Sequence, residues 1–226
     1  MGTMTAIRNL LGVAPQFETV EQLVAGSGIL QSAKLQFSKI SGMSVKVLYN
    51  NLTSKVGSAE YIIKTTAQAA NDGDVIDGTV DFKGANHALA GGTHVAILKT
   101  GRVAVLSKFG AKFDGTDDTV PLLLALSSGL INVRVDGSCS IDNLSYTPAN
   151  DIRIHGLGHV LTGISSPSVQ RCFQILPAGF NVTIKDLTVD ANDTAYQALA
   201  IQNESSADIK DVTLTNVTAL NAYRSN

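Results

Sequence analysis

Along the second half of the chain, apolar and polar residues alternate in short runs that return in similar form. Asp151-Ile-Arg-Ile-His-Gly-Leu157, Asn181-Val-Thr-Ile-Lys-Asp-Leu-Thr-Val189 and Asp208-Ile-Lys-Asp-Val-Thr-Leu214 each place Ile, Val or Leu at alternate positions, with Lys, Asp, Thr or Arg between them. A period of two is the mark of a half-buried strand, because successive side chains leave a strand on opposite faces. Matching Ile154 to Ile184 gives an interval of 30 residues, and matching Ile184 to Ile209 gives 25. Intervals in this range indicate a repeat architecture. No helical pattern separates the units, so a solenoid of strands is expected rather than leucine-rich or helical-pair repeats. In such a solenoid each coil stacks on the one before at about 4.8 Å, pairs its backbone in parallel ladders and turns its aliphatic side chains inward.

A helix precedes these units. Val120-Pro-Leu-Leu-Leu-Ala-Leu-Ser-Ser-Gly129 has Pro in its first turn, where a missing N–H does no harm, and closes on Gly. Its face is almost wholly apolar and must cover something; laid across the first coil, a helix over 119–128 would shield an open edge and an apolar end. Further upstream, Thr19 with Gln22 three residues on, and Gly26 at the close, predicts a short helix. Leu35/Phe37, Val45/Val47/Tyr49 and Tyr61-Ile-Ile-Lys64 read as strands, followed by a polar turn at Asn71-Asp-Gly-Asp74. Val95–Leu98 and Val103–Leu106 flank Thr100-Gly101-Arg102 and read as a hairpin. The expected organisation is an unassigned segment 1–16, a small mixed and mostly β domain over 17–108, and a helix leading into a solenoid over 109–226.

A length of 226 residues suits two modest domains. Hydrophobic residues at 44% are enough for a packed core, while charged residues at 16% fall below the usual share of about 25%. The surface is therefore built largely from Thr, Ser, Asn and Gly, which suits stacked strands better than exposed helices. A net charge of −2 offers no basic footprint, so nucleic acid is not an expected partner. Cys139 and Cys172 are too few for a disulfide scaffold and lack metal-ligand spacing; they read as small buried hydrophobes. Neither an apolar run of about 18 residues nor a signal-peptide pattern is present, so synthesis in the cytoplasm without membrane insertion is expected.

Several constellations bear on chemistry. Asp114, Asp117 and Asp118 cluster oxygens of the kind hard cations take, but the same carboxylates suit the positive end of the following helix, and capping is the reading adopted. His155-Gly-Leu-Gly-His159 sets two imidazoles four residues apart; its glycines argue for a turn between coils rather than a helix presenting metal ligands. Glycoside cleavage needs two carboxylates across the bond, for which Asp186, Asp190, Asp208 and Asp211 are candidates. Asp186 and Asp211, 25 apart, are expected to stack on successive coils, either as a pair facing a groove or as partners of Lys185 and Lys210 in a polar ladder. Six Asn-x-Ser/Thr triplets, at Asn51, Asn143, Asn181, Asn192, Asn203 and Asn216, are better explained by strand and turn chemistry than by glycosylation. No segment makes a phosphate-binding loop.

Phe109-Gly-Ala-Lys-Phe-Asp-Gly-Thr-Asp-Asp-Thr119 resembles the entry motif of the pectate-lyase-like superfamily, in which Phe-Gly-Ala-Lys, a Gly-Asp-Gly step and Asp-Asp-Thr precede a capping helix. Phe113 stands where that family usually has Gly. Upstream, Ser41-Gly-Met-Ser-Val-Lys-Val-Leu-Tyr49, Gly57-Ser-Ala-Glu-Tyr-Ile-Ile63, Asp72-Gly-Asp-Val-Ile76 and Val103-Ala-Val-Leu106 resemble the N-terminal module of bacteriophage tailspikes and capsule depolymerases. The resemblance implies a right-handed parallel β-helix in a homotrimeric virion protein. Its 17–108 domain would attach to a phage tail or baseplate protein, and its β-helix would bind, and often cleave, a bacterial surface polysaccharide. It implies no cofactor and no metal, and it places catalytic residues beyond this segment, so none is assigned here. The absence of a closing cap or trimerisation segment before Asn226 leads to the expectation of an N-terminal portion of a longer spike. The rival expectation is a polysaccharide lyase or glycosidase working from this segment itself; a bacterial adhesin is disfavoured by the lack of an export signal.

Overall fold

The computed structural model describes residues 15–26, 41–49, 55–72, 86–164, 169–202 and 210–222. The chain divides into two compact units, Met1–Lys99 and Thr100–Asn226. Residues 100–108, grouped by the sequence reading with the N-terminal part, thus belong to the second unit. The strand expected at Leu35/Phe37 and the second half of the turn at Asn71–Asp74 lie outside the described residues.

The first unit holds a five-stranded sheet in the order β1-β2-β3-β5-β4. Its strands are β1 (Gln16–Thr19), β2 (Ser44–Tyr49), β3 (Ala59–Thr65), β4 (His87–Ala88) and β5 (His94–Leu98). β1 runs parallel to β2; the other neighbours are antiparallel. Val45, Val47, Tyr61 and Ile63 are fully buried, as the alternation in their strands requires. Helix α1 (Val20–Ala25) begins at Thr19, whose hydroxyl accepts from the Gln22 backbone N–H at 3.3 Å, and ends at Gly26 with φ 69°. The Gln22 side chain reaches the N–H of Glu18 rather than that of Thr19, so the reciprocal half of the expected cap is displaced by one residue. A second helix, α2 (Thr66–Asn71), lies between the expected strand and turn, where the sequence reading assigned no element. Thr65 and Gln68 form a complete capping box there, a signal the Ala-rich segment carried without any apolar stripe to advertise it.

The hairpin expected across Thr100-Gly101-Arg102 does not form. β5 pairs with β3 and β4, whereas β6 (Val103–Val105) runs parallel to β7 (Asn132–Arg134) in the second unit. What decides is the inward residue: Ala104 is fully buried and registers with Val133, the start of an apolar column that a hairpin could not supply.

From β7 onward the chain winds. It passes through β7, β8 (Cys139–Ile141) and β9 (Leu144–Tyr146), then β10 (Ile152–His155), β11 (Val160–Gly163) and β12 (Val169–Ile175). It continues through β13 (Val182–Asp190), β14 (Ala195–Ile201) and β15 (Val212–Leu220). β10 stacks on β7, β11 on β8 and β12 on β9; β13 then stacks on both β10 and β11, β14 on β12 and β15 on β13, all parallel. The unit is a coil of strands, and Ala104, Val133, Ile154, Ile184 and Leu214 stand directly over one another. Ile154 and Ile184 stack as expected, but Leu214, 30 residues beyond Ile184, holds the place assigned to Ile209, which lies outside the described residues. The repeat is therefore 30 and 30, and the unit in β15 begins at Asp211-Val212 rather than at Asp208-Ile209.

The corner residues enforce this register. β13 is long because it turns in its middle: Asp186 has φ 52°, the residues before it pair with β10 and those after it with β11. Asn216 repeats that left-handed conformation one coil later, also at φ 52°, and donates its amide to Asp186 at 2.9 Å. Short polar side chains tolerate such backbone better than others do. Gly156 precedes them in the column. Its N–H donates to Lys185 O at 2.8 Å, and a Cβ there would collide with the Asp186 carbonyl and lie 2.7 Å from Leu187 Cα. Asn143 and Asn192 are left-handed as well, and Asn181 is bonded within a ladder, so turn and strand chemistry accounts for four of the triplets; Asn51 and Asn203 lie outside the described residues.

Helix α3 (Thr119–Leu126) buries Leu122, Ala125 and Leu126, and Tyr146 donates its hydroxyl to Leu126 O at 2.7 Å. The Asp-rich loop before it works differently from the capping expected. Asp118, wholly buried, turns back to accept from the N–H groups of Lys112 and Phe113 at 2.8 and 3.2 Å, and makes no cap bond to the helix. Burial holds its pKa above the ordinary range in spite of those bonds. Asp117 supplies the acceptor for the first helical N–H, that of Thr119, at 2.8 Å, and also bridges the free side of β8 through Ser140. Phe113 adopts φ 54°, which is why glycine suits that position; its ring lies where a side chain on Gly137 would be. No helix among the described residues is long and apolar enough to cross a membrane.

Two predictions follow from these contacts between coils. Gly156→Ala should lower the denaturant midpoint, by about 1–3 kcal/mol of stability, because backbone rather than a flexible side chain blocks the added methyl; Gly158→Ala, with open space around its Cβ, separates the steric cost from that of a left-handed glycine. Asp151 is held below the ordinary carboxylate value of 3.8 chiefly by the Asn181 N–H, and Asp186 chiefly by the Asn216 amide. A lowered pKa stabilises the fold above the unfolded value and is lost as pH falls through the folded one. Stability measured by denaturant should therefore drop as pH goes below 3.8, and the Asp151→Asn/Asp186→Asn variant should show a smaller drop.

Candidate functional site

Polar residues of β7, β10 and β13 alternate with the buried column and so face outward. Asn132, Arg153 and Thr183 form one outer row, and Arg134, His155 and Lys185 the next, each on successive rungs. Together they line a cleft of about 300 Å³. The Arg134, Arg153 and Lys185 side chains are exposed and stand on three successive rungs, each step about 4.8 Å. His155 stands between Arg134 and Lys185 in the row, its Nε2 3.0 Å from Asp186 Oδ2, and Lys185 Nζ lies 3.7 Å from the same oxygen. Asp186 is thus engaged by Asn216, His155 and Lys185 at once. Chemically, the cleft offers a local excess of positive charge, an amide and a hydroxyl, and an imidazole whose ring is held by a carboxylate.

The carboxylates singled out in the sequence are not brought together in the way expected. Asp186 and Asp211 do not stack: Asp211 shares a row with Asp151 and Asn181, and Asp186 shares one with Gly156 and Asn216. The 25-residue interval that paired them came from the same misregistered unit as Ile209. Asp190 accepts from the Asn192 N–H at 2.8 Å and the Asn221 amide at 3.0 Å, a corner ladder, and Asp208 lies outside the described residues. Asp114 is folded onto Thr116, which keeps its pKa low. His155 and His159 flank a turn with Leu157 and Gly158 at φ 54° and 84°, as the glycines suggested, but it joins β10 to β11 within one coil rather than one coil to the next. Cys139 and Cys172 are free and buried, and burial pushes the Cys172 thiol up to about 12 and that of Cys139 higher still.

Arg134 and Arg153 were missed by the sequence reading, which named Lys185 only as a partner of Asp186 in a polar ladder. The signal of the basic row lies in the same repeat: Val133-Arg, Ile154-His and Ile184-Lys each put a basic residue directly after the inward aliphatic one. Only the register shows that these three share a row.

No family model matches the sequence, and no curated protein matches it. Among solved structures, the chain is similar to the enzymatically active domain of tailspike protein 2 from bacteriophage CBA120, at 15% identity and a TM-score of 0.59, over 96% of this chain and 33% of that one. It is similar also to full-length tailspike protein 2 from an Escherichia coli O157:H7 bacteriophage, at 16% identity and a TM-score of 0.57, over 96% of this chain and 29% of that one. The chain spans about a third of the length of these solved chains. Its fold, mainly β with curled parallel sheets, is the one seen in bacteriophage tailspike proteins.

Proposed function

We propose that this chain is part of a bacteriophage tailspike. In this reading the first unit attaches the spike to a tail or baseplate protein, and the coil belongs to a right-handed β-helix that binds a bacterial surface polysaccharide in a homotrimer. The observation that carries it is the likeness in fold to two tailspike chains over 96% of this chain, on an architecture whose entry motif the sequence already resembled. The organisation suits the role. A ladder of parallel rungs is stiff along its axis and presents outward rows of side chains that can vary without disturbing the core. In the same reading α3 covers the first coil, with Leu122, Ala125 and Leu126 turned inward.

A second reading, an enzyme that degrades capsule or exopolysaccharide, is favoured by one specific finding: a solved chain similar to this one is an enzymatically active domain. The His155–Asp186 pair beside three cations is the part of this segment such chemistry would use.

Two experiments test these readings. Removal of residues 1–99 from the gene product should leave a soluble protein that no longer enters phage particles, as seen by immunoblotting of purified virions; normal incorporation removes the attachment role. Purified chain incubated with host capsule should bind it without releasing oligosaccharides; a rise in reducing ends or in unsaturated uronate absorbance decides for the enzyme.

A further inference from the structure

We infer that the peptide bond between Arg102 and Val103 is a cleavage site for a protease of trypsin-like specificity, and that cutting it frees the coil from the first unit. The cut itself does not depend on what either unit binds; its consequence for a phage particle rests on the attachment reading.

Local structure marks the place. The two units keep separate sheets: β5 closes on β3 and β4, β6 opens the coil against β7, and among the described residues no strand of one sheet pairs with a strand of the other. The chain passes from buried Leu98 to buried Ala104 through Lys99-Thr100-Gly101-Arg102-Val103. Lys99, Gly101 and Arg102 are exposed there, and Gly101 turns at φ 67°. Exposed turns are where chains are nicked, because a protease must draw several residues into an extended groove, and a strand paired on both sides cannot leave its neighbours.

Within the turn, the free side chain is that of Arg102. Lys99 is tied to β3: its N–H donates to Glu60 O at 2.8 Å, and its Nζ lies 2.8 Å from Glu60 Oε1 and 3.4 Å from Ser44 Oγ. The Arg102 side chain makes no hydrogen bond or ion pair among the described residues, so its guanidinium can enter a specificity pocket with a carboxylate at its base. Beyond it, Val103–Val105 already lie extended at the edge of their sheet, with β7 as the one neighbouring strand, which is the form in which a protease groove takes up a chain. Arg134, Arg153 and Lys185 are exposed too, yet each sits in a strand paired on both sides. Hydrolysis adds one water across the bond: the C–N bond breaks, Arg102 gains a carboxylate and Val103 an α-ammonium, with nothing oxidised or reduced. The freed coil still contains Ala104, so its inward column loses no member.

The test is brief digestion of the 226-residue chain with trypsin, the products being identified by intact mass and N-terminal sequencing. A resistant fragment should begin at Val103 and keep a β-type circular dichroism spectrum. Arg102→Gln should slow its appearance at least about tenfold, Arg102→Lys should restore it, and Lys99→Gln should leave it unchanged. A resistant fragment that begins elsewhere, equal cutting of Arg102→Gln, a loss in Lys99→Gln as great as in Arg102→Gln, or digestion of the coil without a resistant fragment each overturns the inference. The attachment reading survives all of these outcomes, because incorporation into particles is measured on the uncut protein.

Discussion

Every rung of the coil must place its inward residue over that of the rung before, and this single requirement organises the second unit. Ala104, Val133, Ile154, Ile184 and Leu214 meet it in one column. A shift of one residue would turn an aliphatic column to solvent and carry polar side chains into the interior, at a cost in buried polar groups as well as lost apolar contact. The requirement therefore propagates: the outer rows, the corners and the cleft are all placed by the residues of this column, of which Ala104, Val133, Ile154 and Ile184 are buried.

Hydrophobic alternation alone leaves a register ambiguity, because sliding a strand by two keeps the same face inward. The corners remove it. Asp186 and Asn216 can occupy a left-handed bend where a β-branched residue would be strained, and Gly156 can sit where the next coil's backbone leaves no room for a Cβ. The polar bonds that join these corners, Asn216 to Asp186 and Asn181 to Asp151, run along the axis from coil to coil. They are partly exposed and individually modest, so their value lies as much in fixing the stacking order as in net stability.

A fold held this way constrains few residue identities. The interior asks only for aliphatic volume at alternate positions and the corners for Gly, Asn or Asp, which allows tailspike chains of 15% and 16% identity to share the architecture. The outward rows are under no such demand, and any recognition of a ligand is written there. Arg134, Arg153 and Lys185 are exposed and could be exchanged for other polar residues with little effect on packing.

The sequence by itself determined the strand period, the coil, a helix read over 119–128 that the structure ends at Leu126, and the first helix with its Thr19 and Gly26 ends, because these rest on local patterns and on caps a few residues apart. It could not choose between Ile209 and Leu214 as the partner of Ile184, since both units begin with Asp and an aliphatic residue; the choice was made by Asn216 meeting Asp186 across coils. It likewise suggested a hairpin at Gly101, a turn compatible with either outcome, and only the buried place waiting for Ala104 beside Val133 sent β6 to the other sheet. The same holds for the cleft. Arg134 and Lys185 are 51 residues apart in the chain and become neighbours of His155 only through the stacking of rungs, which is a property of long-range pairing and not of any local run of residues.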